Sequence, residues 1–396
     1  MREVASQLRQ QWEADQPVAL ATVVSTFRSA PREPGAAMLI TGRGEVLGSV
    51  SGGCVESAVY TSAQEVLATG APRLERYGIT DGDAFAVGLT CGGTLEVFIE
   101  RITAAEFPEL GDILDDVQAG RPVGVATVVD HPDHAQVGRR TAVRLPEPAS
   151  PGCSPGDDHR PGAEPVLGWA DRRAEAAAAE DMRAMLRTGR SGILEYGPAG
   201  QRQGAGQRIF VSSFAAPDRM LIFGAIDFAA SVAQIGSFLG YRVTVCDARP
   251  VFATAQRFPA ADEVVVQWPD DYLRQEKQAG RVNERTVICV LTHEPTVDVP
   301  VLQEALNGPA VGYIGVMGSR RTHRDRLQRL REAGLSEEQL ARLASPIGLD
   351  LGGRTPAETA LSIGAEIVAH RHGGSGLPLS RRSGPIHRAP VGLPAG

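Results

Sequence analysis

The chain has 396 residues, 42% of them hydrophobic and 22% charged, with a formal net charge of −7. This balance suits a soluble globular protein of two domains, while the acidic balance and an aromatic content of 5% exclude bulk nucleic-acid binding. No apolar run approaches the roughly 18 residues a membrane helix needs, and the polar N-terminus lacks a signal peptide's apolar core, so a cytoplasmic protein without membrane contact is expected.

Residues 1–16 have the pattern of an amphipathic helix. A β-rich block follows, with strands expected over 18–26, 37–41 and 46–50. Between that block and a helical run over 55–69 lies GSVSGGCVE (48–56). The pair Gly52-Gly53, after a strand and before a helix, makes a loop whose amides can point together at an anion. Cys54 sits at the helix N-terminus, where a thiolate is favoured. A second loop, GLTCGG (88–93), sets Cys91 beside another glycine pair and leads into a strand at 95–100. Either cysteine alone reads as a small residue in a tight turn. Two in matching loops raise a sulfur relay, a contact to a metal cofactor or a redox pair. Neither belongs to a C-x-x-C, so no metal site is expected here.

A helix over 105–120 and a strand over 122–129 come next. Residues 131–165 are rich in Pro, Gly, Asp, His and Arg and read as a flexible insertion. A helix at 170–188 and a hairpin from 192–196 and 208–214 close the first domain, taken as 1–215.

The second domain, 216–374, opens on RMLIFGAIDFAASVAQIGSFLGYRVTVCDAR (219–249), a strand, turn, helix and strand in sequence. This is the first βαβ unit of a doubly wound sheet, and Asp247 stands where an acid would hold a ribose hydroxyl, with Arg249 placed for a 2′-phosphate. The glycine fingerprint is incomplete. Gly224 is present, but Ile226 replaces the second glycine, and Asp227 sets a negative charge near the helix N-terminus.

Further strands are expected over 263–267, 286–292 and 313–317, their tips forming a ligand crevice. The tips carry Trp268-Pro269-Asp270, then Thr292-His293-Glu294 with Asp298, then Gly318-Ser319-Arg320-Arg321. His293 suits either a catalytic base or ligand contact, or a ring held by its neighbouring acid. Gly318, Ser319 and Arg320 open a charged helix in a manner suited to phosphate, whereas Arg324, Arg326 and Arg329 read as a solvated face. Thr355, Pro356 and Glu358 mark the start of a last helix, and 375–396 reads as a disordered tail. Of the 40 basic residues only Lys277 is a lysine, so phosphate contacts fall to arginine or to backbone amides. The fold class expected is α/β, with a C-terminal Rossmann-like parallel sheet and an N-terminal α+β domain rich in strands.

Three motifs together resemble the XdhC/CoxI family of maturation factors for molybdenum hydroxylases. They are GSVSGGCVE, GLTCGG, and the C-terminal run YIGVMGSRRTH (313–323) with PIGLDLGGRTPAETALSIGAEI (346–367). The resemblance implies a protein that binds the molybdenum cofactor, as molybdopterin or its dinucleotide, holds it during sulfuration and helps deliver it to an apo molybdenum hydroxylase of the xanthine or carbon monoxide dehydrogenase type. A cysteine desulfurase as sulfur source and a homodimer are further partners to consider. Cys54 and Cys91 match the family's loop cysteines, and 318–321 matches its last crevice loop. The family's GAGH-type turn is here Gly224-Ala225-Ile226-Asp227, without the second glycine or the histidine.

Two other readings compete. One is an NAD(P)-dependent oxidoreductase using Asp247 or Arg249 for the cofactor and Cys54 or His293 in catalysis. The other is a scaffold that has lost its ligand and docks a hydroxylase, a reading that Asp227 motivates. The residues hold no complete catalytic constellation, so enzymatic activity is not assigned.

Overall fold

The structure, a computed structural model, describes residues 2–27, 32–78, 93–145, 172–197, 200–202, 206–308 and 310–383. The chain divides into two units, Met1–Ala216 and Pro217–Ser383.

The first unit runs α1 (Ala5–Glu13), β1 (Val18–Phe27), β2 (Ala37–Thr41), β3 (Val46–Gly48), α2 (Glu56–Thr69), β4 (Arg73–Gly78) and β5 (Thr94–Ile102). It continues with α3 (Leu110–Gln118), β6 (Val123–Asp130), β7 (Arg140–Arg144), α4 (Arg172–Thr188), β8 (Gly192–Tyr196) and β9 (Gln207–Phe214). Two antiparallel sheets result, ordered β3-β2-β1-β5-β4 and β7-β6-β9-β8.

Strand β1 is apolar on both faces because both are covered. Ala19, Ala21 and Val23 pack under Val59, Ala63 and Val66 of α2, which recur at helical spacing. Val18 and Leu20 face α3 and Val125 of the second sheet. Between the sheets, Arg140 donates from Nε to Glu100 at 2.9 Å and lies over the Phe107 ring, 4.8 Å from its centroid. The pair is almost wholly enclosed, with side chains 10% and 9% exposed.

Two strands escape the pattern of alternating apolar residues. β4 (RLERYG) and β7 (RTAVR) are edge strands, where charged side chains discourage further pairing. β7 also corrects the extent of the insertion. Residues 131–145 form a turn at His134–Gln136, capped by the Asp133 carboxylate, and then β7, which pairs with β6. The remainder of the insertion, 146–165, lies outside the described residues. α3 begins at Leu110, later than expected, because Pro108 disfavours helical geometry at Phe107, and the residues before it close a separate turn in which Glu106 N donates to the Thr103 hydroxyl.

The second unit runs β10 (Arg219–Phe223), α5 (Asp227–Phe238), β11 (Arg242–Asp247), β12 (Glu263–Val266), α6 (Pro269–Gln278), β13 (Val287–Val290) and α7 (Pro295–Leu306). It ends with β14 (Tyr313–Val316), α8 (Arg320–Glu332), α9 (Glu337–Leu340), β15 (Leu343–Ala344) and α10 (Pro356–His372). The strands form one six-stranded sheet, parallel throughout, in the order β12-β11-β10-β13-β14-β15. That is the Rossmann order, with its switch point between β10 and β13. The inner strands read as continuous apolar runs because helices cover both faces. α5 and α10 pack over Met220, Ile222, Val243 and Val245, while α6, α7 and α8 pack over Leu221, Phe223, Ile288 and Val290. Thr355 and Glu358 form a capping box with Pro356 at the first turn of α10, as the sequence predicts. Residues 375–383, assigned to a disordered tail, include a single 3-10 turn at Leu379–Arg381.

The Glu100–Arg140 pair gives a test of the inter-sheet packing. Glu100→Ala leaves the enclosed guanidinium uncompensated and is expected to cost about 3–5 kcal/mol, measured by urea unfolding against wild type. A loss below about 1 kcal/mol would show that water already solvates the pair.

Candidate functional site

The carboxyl ends of β10, β11, β13 and β14 gather most of the residues singled out from the sequence. The turn after β10 depends on Gly224. Its φ is +110°, and a Cβ there would lie 2.5 Å from Thr292 Cγ2, so only glycine lets this turn approach the tip of β13. The next amide, Ala225 N, donates to Asp247 Oδ2 at 2.8 Å.

Asp247 is therefore not an open acid at the strand tip. It is 4% exposed and also accepts from Arg249 N at 2.9 Å, Arg249 Nε at 2.9 Å and Arg249 Nη2 at 2.8 Å. Burial alone would raise its carboxyl, but the Arg249 guanidinium and the two amides outweigh that and hold it below the usual carboxylate range. The ribose acid and the 2′-phosphate arginine expected from the sequence satisfy one another. Arg249 also stacks on Phe252, 4.8 Å from the ring centroid, and reaches Glu294 at 3.6 Å.

Asp227 stands in the first turn of α5, a helix whose N-terminus has no side-chain cap. Its carboxylate is 90% exposed and pairs with Arg257 at 3.2 Å. His293, after the tip of β13, is exposed, and the neighbouring Glu294 faces Arg249 rather than the imidazole.

Beneath the tips of β13 and β14 lies a buried chain of contacts. Thr292 Oγ1 donates to Asp298 Oδ1, and Arg326 donates to Asp298 Oδ2 from Nη2 at 2.7 Å and Nε at 3.2 Å. Arg326 Nη2 also donates to Met317 O at 3.0 Å. The arginine is 2% exposed and Asp298 3%. This corrects the reading of Arg326 as part of a solvated face, which describes only the exposed Arg324 and Arg329. A usable signal was present: Arg326 precedes the buried Leu330 by one helical repeat and so shares its inward stripe. Above this chain, Ser319 caps α8 by accepting from Thr322 N at 3.1 Å, and Arg320 and Arg321 extend into solvent. In the same turn His323 is held below the ordinary imidazole range by burial and by Arg326 and Arg324.

The Gly52-Gly53 loop lies in the first unit. Its amides do converge, but on an internal acceptor. Glu56 accepts from Ser51 N at 2.9 Å, Gly53 N at 2.9 Å, Val55 N at 3.2 Å, Ser49 Oγ at 2.6 Å and Ser51 Oγ. Burial would raise this carboxyl, but the serine hydroxyls and loop amides prevail and lower it to about 2. Cys54 is half-buried, packs against the cluster under α2, and donates its amide to Ser51 Oγ at 2.9 Å. Its matching residue, Cys91, lies outside the described residues. Among the described residues, no trio of His, Cys, Asp or Glu is arranged to hold a metal ion.

Comparison with known proteins places the chain in a family. The description "XdhC Rossmann domain" matches residues 220–367, and "XdhC and CoxI family" matches residues 11–78. The chain belongs to the XdhC/CoxI family. It is 26% identical to a protein of Escherichia coli K12 named molybdenum cofactor insertion chaperone PaoD, over 91% of this chain and 86% of that one. It is also 26% identical to a Bacillus subtilis 168 protein named as a probable xanthine dehydrogenase subunit, over 89% of this chain and 92% of that one. The fold matches a crystal structure titled a xanthine dehydrogenase from Bacillus halodurans, with a TM-score of 0.61 and 24% identity over 92% of this chain and 95% of that one.

Within this XdhC/CoxI chain, the crevice and the Gly-Gly loop share one device: a carboxylate from the chain itself occupies the donors that the sequence suggested for a ligand. Two substitutions measure its weight. Because the Glu56 carboxyl is lowered from 4.5 to about 2, its contribution is complete above its unfolded value and fades as pH falls through that interval. Glu56→Gln should cost about 1–2 kcal/mol at pH 7, after allowing for partial exposure, and should flatten the loss of stability on acidification. An unchanged acid limb in the variant would refute this assignment. Asp298→Ala, which strands Arg326, should cost about 3–5 kcal/mol by the same unfolding assay, and a near-neutral result would show that Met317 O alone suffices.

Proposed function

We propose that this protein binds the molybdenum cofactor as cargo and hands it to an apo molybdenum hydroxylase during that enzyme's maturation. The observation that carries the reading is likeness over about nine-tenths of the chain to a protein named as a molybdenum cofactor insertion chaperone.

The crevice of the second unit has chemistry that fits the cargo. A phosphorylated pterin needs anion donors at one end, and Ser319, Arg320 and Arg321 at the first turn of α8 combine a helix N-terminus with two exposed guanidiniums. The buried Thr292–Asp298–Arg326 chain would hold this loop in place beneath the ligand. In the first unit, Cys54 offers a soft donor suited to molybdenum or to its terminal sulfur. We assign it, with Cys91, to the sulfuration step, a cysteine desulfurase supplying the sulfur. The nicotinamide alternative draws no support from Asp247 and Arg249, whose polar groups are spent on each other.

The test is anaerobic purification from a host that makes the cofactor, followed by molybdenum analysis and fluorescence of the oxidised pterin. Wild type should carry both, and Arg320→Ala with Arg321→Ala should retain about a tenth or less of either. Cys54→Ala should keep the pterin and lose sulfuration of the client. Wild-type protein that brings down no pterin would refute the reading.

A further inference from the structure

Arg257 is placed unlike the other arginines of the crevice. Its Nη1 donates to two backbone carbonyls, Ala225 O at 3.0 Å and Phe252 O at 3.0 Å. Its guanidinium lies 5.6 Å from the Phe252 ring centroid and 5.3 Å from that of Phe258. The cation is thus fixed across the β10–α5 turn by groups that carry no charge. Its anionic partner is Asp227, at 3.2 Å, on a side chain that is 90% exposed. An ion pair with so exposed a member is worth little and exchanges readily with solvent.

In a dinucleotide-binding turn the second glycine lets the backbone approach a diphosphate. Ile226 removes that approach here, and Ala225 N is already bonded to Asp247. The neighbouring acids do not cancel Arg257, because Asp247 and Glu294 both face Arg249. What the turn retains is an uncapped helix N-terminus and one preorganised guanidinium.

We propose that Arg257 takes over recognition of a ligand diphosphate at this turn, and that the Asp227 carboxylate is a displaceable stand-in for it. The Asp227 pair would open, one phosphate would accept from Arg257 Nη2, and the remainder would lie against the first turn of α5. The proposal rests on the reading of the crevice as a site for a phosphorylated cofactor, and it places a dinucleotide form of that cofactor within the crevice's reach. A diphosphate also occurs in NAD(P), so the test must separate the two sources.

The probe is inorganic pyrophosphate, titrated calorimetrically into the full chain, with NADH followed by fluorescence in parallel. Asp227→Asn should tighten pyrophosphate binding about two- to fivefold, the reverse of the usual effect of losing a polar contact. Arg257→Gln should weaken it about tenfold or more. Arg257 also holds two carbonyls, so its variant is read only if its circular dichroism matches wild type; Asp227 is exposed and carries the test regardless. Tightening for both probes supports the proposal with a nicotinamide dinucleotide as source, and tightening for pyrophosphate alone supports it with a diphosphate source other than NAD(P). Affinity unchanged or weakened in Asp227→Asn overturns it. Pyrophosphate binding that follows this pattern while no pterin co-purifies would sink the maturation reading and leave this one standing.

Discussion

The shape of the crevice depends on one carboxylate. Asp247 sits at the end of β11 and binds the second amide of the turn after β10, Ala225 N, so the acid ties two neighbouring strand tips. The tie is strong because the acid is enclosed and charge-assisted on its other side by a bidentate arginine. With Gly224 drawn against Thr292, it leaves the turn little freedom to rearrange around a ligand. The position remains occupied by an acid, but that acid now builds the site's wall.

The same solution recurs elsewhere among the described residues. Glu56 fills the loop ahead of α2, and Asp298 neutralises Arg326 under the β13 and β14 tips. A chain with 39 arginines among its 40 basic residues places guanidiniums where other proteins use lysine. A guanidinium holds its geometry and its charge, so each one brought inside requires a carboxylate placed with equal care. Glu100 beneath Arg140 is the version of this rule between the sheets of the first unit.

Much of the architecture was legible because periodicity reports burial. The apolar runs at β10, β11, β13 and β14, the glycine turn and the capping box at Thr355 all follow from local physics that the sequence displays directly. The edge strands β4 and β7 were not legible, because an edge strand is half solvated and its charged side chains mimic loop composition. At the candidate site the difficulty was of another kind. Residue type and spacing located Gly52, Asp247, Arg249 and Ser319 among loops suited to anions, but not which donors were already satisfied. Glu56 occupies a helix's first turn, where acids are common for dipole reasons alone, so nothing marked it as the acceptor for the whole loop. Arg326 was readable through its spacing to Leu330, but a charged residue on a charged helix hides that signal.

Burial then decides which of these internal acids can yield to a ligand. Displacing Asp298 would strand the buried Arg326, and displacing Asp247 would take an enclosed carboxylate away from the Ala225 amide and the Arg249 fork, at a cost of several kcal/mol that a weakly held anion cannot repay. Glu56 is intermediate, half-buried yet held by amides and hydroxyls together. Asp227 differs from all three. Its carboxylate lies almost wholly in water, its pair with Arg257 is worth at most about 1 kcal/mol, and the arginine stays in place without it because two carbonyls and two rings hold the guanidinium. A receptor that is rigid when its counterion leaves, paired with a counterion that leaves cheaply, satisfies both requirements of a reversible cargo site. On these grounds the altered turn is better read as a relocated anion site than as a lost one.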